Sequence, residues 1–281
     1  NVIGVVVLPT VFCIARAAFA PALLDESATM AGIAVTHSVF NVLCTAMLLP
    51  AGGLLEKLAC RIVPDDSQTQ GEKTTELDER LLPTPSLALR QSRAVAREMA
   101  DCAVRALNNA LTALDHNTPE LAQSIHDDEE LCDHYEDILG TYLVKLSTQK
   151  MGRDESEEAT ELLKTIGDFE RISDHAVNIL SSAEEMEQKG LTFSGSALNE
   201  LAILTSAIRE ILSLALKAFE QRDVSVASQV EPLEQVIDTL KEQMRTRHIL
   251  RMQQGQCSIE AGFVLSDLLT DLERTSDHCS N

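Results

Sequence analysis

The sequence predicts an all-α protein in two unlike pieces: transmembrane helices, followed by a tandem pair of three-helix bundles. Three observations predict it. The first is the partition of charge. Residues 1–61 hold three basic and three acidic side chains, so the other 220 residues carry 20 of the 23 Lys+Arg, 41 of the 44 Asp+Glu and the whole net charge of −21. The second is period: long amphipathic patterns at helical spacing fill the acidic piece, with few Gly or Pro and no strand-like alternation. The third is a repeat. Residues 168–178 read DFERISDHAVN and residues 271–281 read DLERTSDHCSN, identical at seven of eleven positions with an offset of 103.

The apolar piece, residues 1–61, comes first. Residues 1–20 contain one charge, Arg16, and residues 31–55 contain no Asp, Glu, Lys or Arg. At about 1.5 Å of rise per residue, either stretch approaches or spans roughly 30 Å of hydrocarbon. Neither shows the polar face of a surface helix; a buried core helix is the alternative. Lys57 and Arg61 follow the second stretch, which places that end and the acidic piece on the cytoplasmic side. No basic run precedes the first stretch, which argues against a signal peptide. His37 and Asn41, four apart in THSVFN, either face a polar cavity or bond one helix to the next.

Residues 62–86 read as a linker. The run PDDSQTQGEKTTELDERLLPTP from Pro64 to Pro85 is polar and nearly free of large apolar side chains. Helices are then expected over 88–115, 119–149 and 154–189, and over 196–221, 224–253 and 257–281. Thr118 is set as an N-cap with Pro119 at the first helical position, and Gly190 as a C-terminal stop. The first bundle is expected over 87–190 and the second over 191–281. The chain opens at Asn1 without Met and stops inside the repeated motif, so it reads as a fragment with a truncated second bundle.

Composition narrows the function. The acidic balance argues against nucleic-acid binding, and with 3% aromatics and no Trp there is no stacking platform for bases or sugars. Seven scattered cysteines without a C-x-x-C read as small buried side chains in a reducing compartment. No phosphate loop, nucleophile elbow or dinucleotide fingerprint is present, so an enzyme is not expected.

What the acidic piece does offer is paired carboxylates. A second, looser repeat sets EELCDHY (129–135) against EQVIDTL (234–240), so each repeat carries one E-x-x-x-D on its second helix and another on its third. Residues four apart share a helix face. If the second and third helices pack side by side, Glu129, Asp133, Glu170 and Asp174 form one set, and Glu234, Asp238, Glu273 and Asp277 the other. Such sets on bundle helices hold metal ions or shift their pKa values. A solvated acidic face is the competing reading, because roughly eight such pairs arise by chance in so acidic a piece. Arg171 and Arg274 could close structural ion-pair networks instead. His175 and His278, one residue past the second Asp, fit a packing layer better than a ligand role, as does His134.

With ERISDHAVN and ERTSDHCSN as third-helix signatures, and residues 218–240 as a second-helix region, residues 88–281 resemble a PhoU domain. THSVFN followed by an apolar run to Pro50 resembles the end of the membrane part of bacterial sodium/phosphate cotransporters, over residues 30–60. The resemblance implies that the eight E-x-x-x-D residues are metal ligands, typically for iron or zinc. It further implies sodium-coupled transport of inorganic phosphate across the plasma membrane, with the bundles as a cytoplasmic regulatory domain and a homo-oligomer among the assemblies open to it. The Gln-Ser-Ser motifs that carry ions in that family are absent here. The alternative is a membrane-tethered helical adaptor that binds a protein partner and regulates phosphate uptake without transporting.

Overall fold

Connections of five residues, too short to do anything but turn the chain back, join the helices at 114–118, 148–152, 190–194 and 254–258 of the computed structural model. The structure describes residues 77–281 and, before them, Val42 alone, which is helical and exposed. The chain divides into units 1–73 and 74–281, and the fold below is that of the second. Val42 apart, the two apolar stretches and the proposed membrane helices lie outside the described residues. Among those described, no helix is long and apolar enough to cross a membrane.

Helix α1 (Pro85–Ala113), α2 (Pro119–Ser147) and α3 (Arg153–Lys189) pack against one another as the first bundle. Helix α4 (Gly195–Gln221), the single turn α5 (Val224–Ala227), α6 (Val230–Gln253) and α7 (Ile259–Ser280) make the second. Helix α1 is the centre of the first bundle because its small side chains leave room on two sides. Ala88, Ala96, Ala100, Ala103, Ala106 and Ala110 are fully buried between Val95, Met99, Leu107 and Leu111. Helix α3 contacts α7, and α1 contacts α4, so one apolar core runs through both bundles. Cys102 and Cys132 are buried, Cys257 and Cys279 half-buried, and all four are free thiols.

The helix ends follow local chemistry. Thr118 Oγ1 accepts from Leu121 N at 3.2 Å, Ser194 Oγ from Ala197 N at 3.3 Å and Ser258 Oγ from Ala261 N at 3.1 Å. Gly190, at φ +61°, takes the left-handed conformation that stops α3, with Leu191 N donating to Met186 O at 2.9 Å.

Two features differ from the sequence reading. The helix expected over 224–253 is broken. Asp223 caps a single turn, and α6 starts afresh at Val230. Pro232 is the cause: it has no N–H to give to Ser228 O, and its ring would strike that carbonyl in a continuous helix. In addition, the last residues of the predicted linker are docked on the first bundle. Leu77, Leu81 and Leu82 pack on its core, Tyr142 donates its hydroxyl hydrogen to Asp78 O at 3.0 Å, and Lys145 pairs with Glu79 at 2.6 Å.

Candidate metal centres

Helix α2 is rotated so that Asp128 faces α1, where Arg105 grips it through Nε (3.0 and 3.1 Å) and Nη2 (2.5 Å). Glu129, the next residue, lies about 100° further round the helix and therefore faces α3. Oxygens of Glu129, Asp133 and Asp174 lie within 4.8 Å of one another, and those of Glu234, Asp238 and Asp277 do the same in the second bundle. Three of each predicted set of four come together. Glu170 and Glu273 stand outside these groups: Glu170 Oε2 pairs with Arg171 Nε at 3.2 Å, and Glu273 Oε1 with Lys241 Nζ at 3.2 Å.

The groups are electrostatically unfavourable as they stand. Burial, then the neighbouring Asp133 and Asp174, pushes the Glu129 carboxyl above its ordinary value. Burial, then Asp174, does so for Asp133. Glu170 is likewise raised by burial first and then by Asp174. In the second bundle burial and then Asp238 raise Glu234, and burial and then Glu273 raise Asp277. One arginine reaches each group, Arg171 to Asp174 at 3.1 Å and Arg274 to Asp277 at 3.4 Å. Both guanidiniums are mostly solvent-exposed, so each neutralises little. Asp238 Oδ1 is buried and has no hydrogen-bond partner, the kind of group a cation satisfies.

The repeated histidines are engaged elsewhere, and so is the first aspartate of the motif. His175 Nδ1 lies 2.9 Å from Asp271 Oδ1, and His278 Nδ1 lies 2.9 Å from Asp168 Oδ1. Asn178 Nδ2 donates to Asp271 Oδ1 at 3.3 Å and Asn281 Nδ2 to Asp168 Oδ1 at 3.0 Å. Each repeat's Asp therefore receives the His and the Asn of the other, a reciprocal clasp between α3 and α7, with the two imidazole centroids 5.8 Å apart. This accounts for the packing role expected of His175 and His278. The sequence reading assigned nothing to Asp168, Asp271, Asn178 and Asn281, although all four are among the identical positions. His134 is exposed, with its ring tilted against that of Tyr135.

Each clasp hydrogen bond is worth about 1 kcal/mol net. His175→Ala and Asp271→Ala should each lower stability by roughly 1–2 kcal/mol. A double-mutant cycle read by urea unfolding should return a coupling near 1 kcal/mol. Additive losses would mean that the contact is not formed in solution.

Two successive three-helix units, each with a carboxylate group between its second and third helices and joined through the third, define a tandem helical-bundle protein. Comparisons identify the class more closely. The PhoU domain profile matches residues 96–183 and 201–281, one match per bundle; the chain belongs to the PhoU domain family. It is 26% identical over 180 residues to the phosphate-specific transport system accessory protein PhoU homolog 1 of Thermotoga maritima, covering 62% of this chain and 75% of that one. It is 24% identical over 188 residues to the PhoU homolog of Borreliella burgdorferi, covering 64% and 83%. The fold is similar to the crystal structure of PhoU from Pseudomonas aeruginosa, with a TM-score of 0.65 at 21% identity over 69% of this chain and 92% of that one. Residues 30–60, which carry the cotransporter resemblance, lie outside the family match and, Val42 apart, outside the described structure.

Proposed function

We propose that the two bundles form an accessory and regulatory domain of a phosphate-uptake system, acting by contact with a membrane transport protein rather than by moving ions. The observation that carries this is the family match over both bundles. It is supported by relatives described as accessory proteins of phosphate-specific transport and by a similar fold described as a phosphate transport regulatory protein from Streptococcus pneumoniae. Regulation without transport, the adaptor reading, fits these better than sodium-coupled transport. The transport reading rests on residues 1–61, which would also supply the membrane tether and place the bundles in the cytoplasm.

In this reading the carboxylate groups hold metal: Glu129, Asp133 and Asp174 in one centre, Glu234, Asp238 and Asp277 in the other. The unpartnered Asp238 Oδ1 and the all-oxygen donor sets fit a cation. Of iron and zinc they favour iron, because no His or Cys stands in either group. A bound cation would screen the carboxylates and fix α2 on α3 and α6 on α7, which sets the shape offered to a partner.

The test compares radiolabelled phosphate uptake in cells carrying the full chain with uptake in cells carrying the chain cut after residue 85. The expected result is that uptake persists in the cut form but no longer falls when external phosphate is raised. Unchanged regulation would sink the regulatory reading. Sodium-driven uptake by the purified full chain alone in vesicles would restore the transport reading.

A further inference from the structure

Where α6 runs into α7, the second bundle inverts the polarity of the first. The repeat sets Ser156 and Thr160 of α3 opposite Ile259 and Phe263 of α7, and Leu143 and Leu146 of α2 opposite His248 and Arg251 of α6. Ser156 and Thr160 are exposed, as suits them, but Ile259 and Phe263 are 71% and 68% exposed. Leu143 and Leu146 are fully buried, and so nearly are His248 and Arg251. Arg251 Nη1 donates to Glu200 Oε2 at 3.0 Å, but Arg251 Nε and Nη2 and His248 Nε2 are buried without a hydrogen-bond partner. Neither exchange helps a lone bundle to fold: one leaves apolar surface in water and the other leaves polar groups unsatisfied.

A groove of about 230 Å³ opens between the two helices here, lined by Ile249, Met252, Ile259, Phe263, Leu265 and Leu269. Gly262 lets the helices close beneath it, since a Cβ there would stand 2.8 Å from Met252 Sδ and 2.9 Å from His248 Nε2. Although the chain carries a net charge of −21, the described lining holds no Asp or Glu. Its exposed cation is Arg245, which makes no ion pair among the described residues.

We propose that this groove docks an amphipathic helix of the membrane transport partner, with bulky apolar side chains in the groove and a carboxylate on Arg245. This rests on the regulatory reading above and names the surface through which it acts. The volume suits a bulky side chain or two rather than a drug-sized organic ligand, and apolar anchors at helical spacing are how a helix fills such a groove. Charge selects among occupants. A second copy docked by the same patch would bring another unpaired Arg245 and no acid from the lining. An anionic membrane surface would repel so acidic a chain. An acidic, apolar helix satisfies both the exposed side chains and the free arginine.

The experiment places p-benzoylphenylalanine at Phe263 of the full chain in cells and identifies the photocrosslinked peptide by mass spectrometry. The expected product joins the phosphate-transport protein through a segment with apolar residues three or four apart and an Asp or Glu within a turn of them. Arg245→Glu should cut the crosslink at least about tenfold, because it sets like charges together, and reversing the partner's acid to Lys should restore it. Ile259→Ser with Phe263→Ser should leave the urea midpoint nearly unchanged, since both side chains are exposed, yet abolish the fall of uptake at high phosphate. A crosslink to a second copy, to lipid or to any other protein, or none at all, would overturn the inference. So would normal regulation in the Ile259→Ser, Phe263→Ser chain. If the chain cut after residue 85 still loses its regulation, the regulatory reading survives that outcome; if the cut chain keeps it, both fall.

Discussion

Stripped of metal, the protein should become more stable as pH falls from 7 towards 5, and at pH 7 a divalent cation should stabilise it in the same way. Both effects have one origin. The carboxyls of Glu129, Asp133, Glu170, Glu234 and Asp277 are all raised, in each case by burial first and by neighbouring acids after it. A carboxyl whose folded pKa exceeds its unfolded one binds its proton more tightly in the fold. The stability it contributes is fully present below the ordinary carboxylate value and is lost as pH rises through the raised value. At neutral pH the groups are charged and repel. Asp78 and Asp223, lowered chiefly by hydrogen bonds from Arg80 and Ser225, act in the opposite sense only near and below their ordinary value of 3.8. His248, lowered by burial and then by Arg251, opposes the gain as pH falls below 6.5, because the fold disfavours its charged form.

Cation binding replaces protonation. At a free concentration a hundredfold above Kd, one occupied site adds about 2.7 kcal/mol. Thermal unfolding followed by circular dichroism, with and without Mn²⁺ at pH 5 and pH 7, should show the largest cation shift at pH 7. The shift should be reduced in Asp174→Ala and in Asp277→Ala, and abolished when both are changed. A cation shift that persists in the double variant would place the metal elsewhere. Melting temperatures that fall steadily from pH 7 to pH 5 in the stripped protein would contradict the repulsion argument.

Replacing Arg105 with methionine should cost roughly 3 kcal/mol, because it strands a buried carboxylate. Asp128 is 5% exposed, and Arg105 is its ionic partner, bound in a fork through Nε and Nη2. The same Nη2 also reaches Cys102 Sγ at 3.5 Å. Removing the arginine leaves Asp128 among two thiols and the apolar α1 seam, and the fold must bury the charge alone or protonate it. Adding Asp128→Leu to Arg105→Met should recover most of the loss, since the double change leaves no unpaired charge beside the core and puts an apolar side chain in the buried Asp128 position. Urea midpoints of the single and double variants decide it. A loss below about 1 kcal/mol in Arg105→Met would class the pair with ordinary surface ion pairs. The pair also sets the rotation of α2 that turns Glu129 and Asp133 towards α3, so Mn²⁺ affinity at the first centre should fall in the single variant as well.

Much of this architecture is local information, legible one helix at a time. Thr118, Pro119 and Gly190 set helix ends because each acts on its own backbone. The helical period marked buried faces, and the repeated DFERISDHAVN and DLERTSDHCSN segments determined that there are two similar units. The E-x-x-x-D spacing placed Glu129 beside Asp133 and Glu234 beside Asp238, since a helix fixes what shares its face.

Which residues meet across helices was settled by the packed fold. It joined Asp174 and Asp277 to those pairs and set Glu170 and Glu273 apart with Arg171 and Lys241, although all four belong to the same spacing motif. It put Asp168 of one repeat on His278 and Asn281 of the other, so identical positions that no spacing rule connects serve as a clasp between the two bundles. It also broke the helix expected over 224–253 at Ser228–Gln229, ahead of Pro232, and drew residues 77–82 out of the linker and onto the first bundle. The physical reason is common to all of these: periodicity specifies the direction of a side chain on its own helix. The partner it finds there depends on helix rotation and on inter-helix distance. In this chain the pair that half-exposed Arg105 makes with buried Asp128, and the alanine seam of α1, fix both.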